Sequence, residues 1–225
     1  MKLRLLALAA TAAATALVAG SANAAVTITT VQGLHITQPL ITDFNSGDNG
    51  DLLIADGYHF DQVTDAFTRD GGLGLWGGMS APPPADNGVP GAYYETVLTG
   101  GEAVLTADHG INNFQFYMGS PDEYNVVTFN FANPDLTPLT LTGNAIWGGN
   151  PVGNGDQSLG YTVSYHFDAP VTSIAFTSTG NSFEFDKLAG GVPEPMSWAL
   201  MILGFGGAGA VLRGQRRRQA AAAAA

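Results

Sequence analysis

The stretch Tyr161-Thr162-Val163-Ser164-Tyr165-His166-Phe167 decides the fold class. In an extended chain Tyr161, Val163, Tyr165 and Phe167 share one face, and Thr162, Ser164 and His166 share the other, which is the period of two of a half-buried strand. The pattern repeats in Asn113 to Met118, where Phe114, Phe116 and Met118 align. It repeats again in Val126 to Phe131, where Val127, Phe129 and Phe131 align. Further strands are expected over Val26 to Val31, Tyr93 to Leu98, Ala103 to Thr106, Leu139 to Thr142, Val171 to Thr177 and Ser182 to Phe185. Turn-forming residues separate them at Thr99-Gly100-Gly101, Gly119-Ser120-Pro121-Asp122, Asn133-Pro134-Asp135, Gly148 to Gly155, Asp168-Ala169-Pro170 and Thr179-Gly180-Asn181. A helical period is not evident, and only Asp61 to Arg69 suggests a short helix or turn. Many short strands at this spacing predict an all-β fold, an antiparallel β-sandwich with jelly-roll-like topology, over residues 25–190.

Gly71 to Gly91 carries two Gly-Gly pairs, Pro82-Pro83-Pro84 and Asn87-Gly88, and reads as a long exposed loop around Leu73, Leu75 and Trp76. Trp76 either folds back onto the sandwich or, with Tyr93 and Tyr94, offers rings on which a sugar can stack.

All 19 acidic residues lie between Asp43 and Glu194, but only Arg69 and Lys187 of the 8 basic ones do, so that region carries a net charge of −17. Such a balance argues against nucleic acid and anionic lipid, because phosphate binding needs Lys and Arg. Cations, neutral sugars and cationic polymers remain as partners, beside the plain reading of acidity as a solubility device. There is no cysteine, which excludes thiol catalysis and cysteine-ligated zinc and leaves the fold to its own core.

Little in the sequence points to catalysis. His35, His59, His109 and His166 are scattered, and no serine stands in a Gly-x-Ser-x-Gly elbow. Glu184 and Asp186 are two apart on a strand, so their carboxylates fall about 6 to 7 Å apart on the face opposite Phe183 and Phe185. That spacing approaches the range used by inverting glycosidases, but the ordinary reading is a pair of solvated acids. A calcium site is a further expectation, built from Asp43, Glu184 and Asp186 if the first and last strands pair. No other cofactor is expected.

The two ends of the chain read as targeting segments. Residues 1–24 carry Lys2 and Arg4, an apolar run from Leu5 to Val18, and small residues at Ala22 and Ala24 before Ala25, the pattern of a cleaved secretory signal peptide. At the other end Pro193-Glu194-Pro195 is followed by an apolar run from Trp198 to Leu212, then by Arg213, Arg216, Arg217 and Arg218. The prolines keep the tripeptide extended, and the arginines favour the cytoplasmic side of a membrane. At 15 residues the apolar run is short for a permanent span. A plain membrane anchor is the alternative. Residues 220–225 are alanine and belong to neither reading.

The tail over residues 191–219 resembles the PEP-CTERM sorting signal of exported Gram-negative proteins, through Pro193, Glu194, Pro195, Trp198, Ala199 and the closing arginines. The resemblance implies recognition by exosortase, a membrane protease acting near the Pro-Glu-Pro, after transient insertion of the C-terminal helix in the inner membrane. A second stretch, Phe114 to Asn125 with Gly119-Ser120-Pro121-Asp122-Glu123-Tyr124-Asn125, is similar to the strand-turn-strand of exosortase-dependent surface proteins. So is Phe183-Glu184-Phe185-Asp186, with Lys187 where that family usually has Asn. Together these imply an exported, non-enzymatic protein of the cell surface or matrix, associated with exopolysaccharide and biofilm. A carbohydrate-binding module is the alternative, and a polysaccharide-degrading enzyme using Glu184 is a third.

Overall fold

The alternating segments become eight strands: β1 (Val26–Gln32), β2 (Leu40–Thr42), β3 (Tyr58–Asp70), β4 (Tyr93–Gly119), β5 (Asn125–Phe131), β6 (Leu139–Thr142), β7 (Gly160–Ser178) and β8 (Phe183–Gly191). They belong to a computed structural model that describes residues 23–45, 52–149 and 155–191, with Leu203, Phe205 and Arg213 from the tail. Most of the signal segment, the glycine-rich stretch Gly47 to Gly50, part of the Gly148 to Gly155 turn and nearly all of the sorting tail lie outside the described residues.

The described domain is all-β, and its strands run in the order β2-β8-β4-β7-β5-β6, with β1 added to β7 and β3 to β4. β4 runs antiparallel to β7 from Glu102–Thr177 to Gly119–Gly160. The other edge of β7 is shared, with β1 along Tyr161–Phe167 and β5 along Val171–Ser178. β8 meets β4 at both ends, at Glu95–Phe185 to Val97–Phe183 and again at Asn113–Gly191 to Met118–Phe185. The sheet therefore curls back on itself, in a sandwich-like arrangement around one core.

Three sequence expectations are corrected. Tyr93 to Leu98, Ala103 to Thr106 and Asn113 to Met118 are one strand of 27 residues, and the expected turn at Thr99-Gly100-Gly101 lies inside it. Gly100 and Gly110, at φ of 77° and 75°, let β4 bend without ending. In the same way Asp168-Ala169-Pro170 lies within the 19-residue β7 instead of dividing two strands. Asp61 to Arg69 is no helix but the middle of β3, where register shifts around Thr64 and an Asp65 φ of 43° break the period of two that would have marked it.

The aromatic faces turn inward as the alternation predicts. Phe114, Phe116, Phe129, Phe176, Phe183 and Phe185 are fully buried, and Tyr165 and Phe167 nearly so. Phe129 sits 4.9 Å from Tyr165 and 4.8 Å from Phe167 between ring centroids, and Phe176 stacks on Phe185 at 4.3 Å. Such pairs add about 0.5 to 1.5 kcal/mol each beyond the burial of their area. Tyr165 satisfies its buried hydroxyl by donating to the Ile146 carbonyl at 2.6 Å.

The long segment between β3 and β4 is exposed only in part. Leu73 and Leu75 stand in solvent, but Ser80, Ala81 and Asp86 are buried against the sheet. The reason is the chain's own hydrogen bonding: Ala81 N donates to Glu184 Oε1 at 3.1 Å, Ala85 N donates to the Tyr117 hydroxyl at 3.2 Å, and Met79 O accepts from Ser182 Oγ at 2.5 Å. The segment is thereby latched over β8 and β4.

Candidate functional site

That latch changes the surroundings of the two acids on β8. Phe183 and Phe185 point into the core, so Glu184 and Asp186 point to the other face, where the sequence predicts solvent. Instead the segment between β3 and β4 covers that face, leaving Glu184 3% exposed and Asp186 fully buried. The expectation of solvated acids is overturned by this cover.

Glu184 forms one wall of a cleft of about 100 Å³. A second wall is the turn between β4 and β5, which brings Ser120, Asp122 and Tyr124, and the rim is Leu75 and Met79. Glu184 Oε1 accepts from Ala81 N and lies in short contact with the Ser182 hydroxyl. The Ser182 hydroxyl has one proton and two acceptors within reach, Met79 O and Glu184 Oε1. Burial, eased by Ser182 and Ala81 and reinforced by the Asp122 carboxylate, pushes Glu184 up to about 7.

Asp122 is 2% exposed, and its Oδ1 is buried without a hydrogen-bond partner among the described residues. Burial raises its pKa, and the Tyr124 hydroxyl and Gly155 N–H lower it in part. Tyr124 donates to Asn181 O at 2.5 Å, and its ring lies on Gly180, where a Cβ would overlap the ring atoms. Only glycine lets the ring settle there. Among the described residues no Lys, Arg or His lines this cleft.

Beside the cleft Asp86, Asp186 and Lys187 form a second group. Burial is the main cause raising both carboxyls; Lys187 eases the rise at each, and the Asp86 charge adds to it at Asp186. The Lys187 ammonium is in close contact with Asp186 Oδ2. Burial acts to lower Lys187, and Asp186, Asp86 and Asp43 outweigh it and leave it raised. β2 does pair with β8, at Leu40–Ala189 and Thr42–Leu188, so Asp43 is brought to this neighbourhood. Among the described residues, however, no three acidic or histidine side chains converge as a metal site requires. The lysine ammonium occupies the place at Asp186 that the calcium expectation gave to a cation.

The expected sugar-stacking rings are placed differently from one another. Tyr94 is fully buried, its hydroxyl 3.1 Å from Ser80 Oγ, and offers no face to a ligand. Its neighbour Tyr93 is half-buried against the core. Trp76 folds back onto β3, edge-on to Phe67 at 5.9 Å and beneath the Arg69 guanidinium at 4.1 Å.

Of the processing residues, Ala24 packs partly against the core, and Ala25 N donates to Asp168 Oδ1 at 2.9 Å. Ala22, Pro193, Glu194, Pro195, Trp198, Ala199, Arg216, Arg217 and Arg218 lie outside the described residues, and Arg213 is exposed in helical conformation. Among the described residues no helix is long and apolar enough to cross a membrane. Sequence reading misses Asp122 and Asp86 as site residues. Asp122 is visible in the Gly-Ser-x-Asp-x-Tyr-Asn stretch, but nothing local marks a turn carboxylate as buried by a segment about 40 residues earlier.

The chain matches no known family and no curated protein. Among solved structures it has a slight likeness to the enzymatically active domain of bacteriophage CBA120 tailspike protein 4, with a TM-score of 0.32 and 11% identity over 67% of this chain. The match spans 21% of the tailspike chain and carries neither fold nor function across.

Proposed function

We propose that this is an exported, exosortase-processed protein of the cell surface or extracellular matrix, non-enzymatic, built on a jelly-roll-like β-sandwich and acting beside exopolysaccharide. The observation that carries the reading is where the sheet starts and stops. β1 begins at Val26, one residue after the signal cleavage point, and β8 ends at Gly191, two residues before Pro193. Cutting at either place leaves all eight described strands in the product. Cleavage before Ala25 would also turn its backbone N–H into an ammonium, 2.9 Å from the Asp168 carboxylate, a charge-assisted contact in place of a neutral one. The PEP-CTERM resemblance supplies the sorting route: insertion of the tail in the inner membrane, cleavage by exosortase, and release or attachment outside.

The test is mass spectrometry of the mature termini in cells with and without the sorting protease. The expected product starts at Ala25 and lacks Trp198 onward, and replacing Arg216, Arg217 and Arg218 by Glu mis-sorts it. An intact tail on surface-located protein overturns the reading.

A further inference from the structure

We infer that the cleft between the Leu75–Ala81 segment, the Ser120–Tyr124 turn and Glu184 is a binding site for a protonated primary amine on a small molecule. The inference goes beyond the sorting reading and does not depend on it.

The cleft presents two carboxyl groups, Glu184 and Asp122, and among the described residues no cationic side chain lines it. An acidic pair alone is not a site. What points to a ligand is Asp122 Oδ1, a hydrogen-bond acceptor taken out of water and without a donor among the described residues. A buried acceptor without a partner costs about 1 to 3 kcal/mol, more if charged, and a ligand that donates to it recovers that cost.

The donor is best charged. An ammonium brings three N–H donors and a positive charge to a place where two carboxyls otherwise repel each other. Leu75 and Met79, 66% and 39% exposed at the rim, suit the carbon skeleton that carries the amine. Phosphate and carboxylate ligands are disfavoured by the same charges. A bare divalent metal lacks a third acidic or histidine ligand among the described residues. About 100 Å³ suits a short alkylamine or the amine-bearing end of a single sugar ring more than a polymer threaded through.

The titratable groups facing Glu184 are Asp122 from the β4–β5 turn, Tyr124 after it, and Tyr94 from β4. All three are anionic or neutral, so an arriving ammonium is the first positive charge Glu184 meets there. It should expel the Glu184 proton, giving proton release on binding near pH 7.

Calorimetric titration of the full chain near pH 7 tests this with n-butylamine, D-glucosamine, N-acetyl-D-glucosamine and calcium chloride. Both amines are expected to bind, with proton release read from two buffers of different ionisation enthalpy. Binding of glucosamine alone assigns the amine to an amino sugar, and of butylamine alone to an alkylamine; either supports the site. N-acetyl-D-glucosamine, which has the ring but no ammonium, should not bind. Asp122→Asn and Glu184→Gln should each weaken the amine at least tenfold, and Asp108→Asn, at an exposed acid elsewhere, should not. The wild-type comparison stands even if a variant fails to fold. Equal binding of the N-acetylated sugar, unaltered affinity in both cleft variants, saturation by calcium in preference to the amines, or no binding of either amine overturns the proposal.

Discussion

The middle of the molecule, where β4, β5 and β7 press their rings together, and the end where β8 meets the latched segment are equally hidden from water, yet they hide opposite chemistry. Phe114, Phe129, Tyr165 and Phe176 are buried in the first; Glu184, Asp186, Asp122 and Asp86 are buried in the second. Burial of rings stabilises at any pH, whereas burial of carboxyls stabilises or destabilises according to whether they carry protons. Depth alone therefore says little about what a buried position contributes.

The largest effect should come from the ring side. Phe129→Ala removes a fully buried ring with two neighbours within 5 Å of its centroid, and should cost about 3 to 5 kcal/mol in urea unfolding. A cost below about 0.5 kcal/mol would mean that the two regions have been distinguished wrongly.

Next comes pH. Glu95, buried on β4 and bonded to Gln62 and Thr68, is pushed up to about 8 by burial, and Glu184 up to about 7. The unfolded carboxyls ionise near pH 4, so between there and pH 7 to 8 the folded state binds more protons than the unfolded one. Stability is then greatest near pH 4 to 5, falls as pH rises, and levels off above about 8. Each tenfold change in proton affinity between the folded and unfolded chain is worth about 1.4 kcal/mol, so Glu95→Gln should raise stability at pH 8 by on the order of 3 kcal/mol and flatten the decline. Thermal unfolding from pH 5 to 9 reads both. A melting temperature that climbs over that range would contradict the contrast drawn for the acid-holding end.

The smallest effect belongs to the border between the regions. Arg69 covers the Trp76 ring at 4.1 Å on a half-exposed surface, and Arg69→Ala should cost roughly 0.5 to 1 kcal/mol. Quenching of tryptophan fluorescence by iodide should rise in that variant, because the ring loses its cover.

The same contrast separates what is legible in the sequence from what is not. Tyr161 to Phe167 and Val126 to Phe131 declare both strand and inward face, because a period of two is a local property of neighbouring side chains. β3 is illegible because its register shifts around Thr64 erase that period. The division of β4 fails for a related reason: Thr99-Gly100-Gly101 has turn chemistry, but pairing with β3 on one side and with β8 and β7 on the other carries the strand through it. The cleft is the least legible part. Alternation puts Glu184 and Asp186 on the correct face, and whether that face is wet depends on a loop about 100 residues away.

β8 comes last among the strands yet lies inside the sheet, between β2 and β4 and in register with both ends of a strand that begins 90 residues earlier. Until it arrives, β4 is paired along Asn113–Met118 on one edge only, with β7, and Phe183 and Phe185 are missing from the ring cluster. Such long-range closure is slow to form. A chain threaded amino end first through a narrow channel would thus stay unlocked for nearly its whole passage, and would snap shut only once Phe183 to Gly191 had emerged.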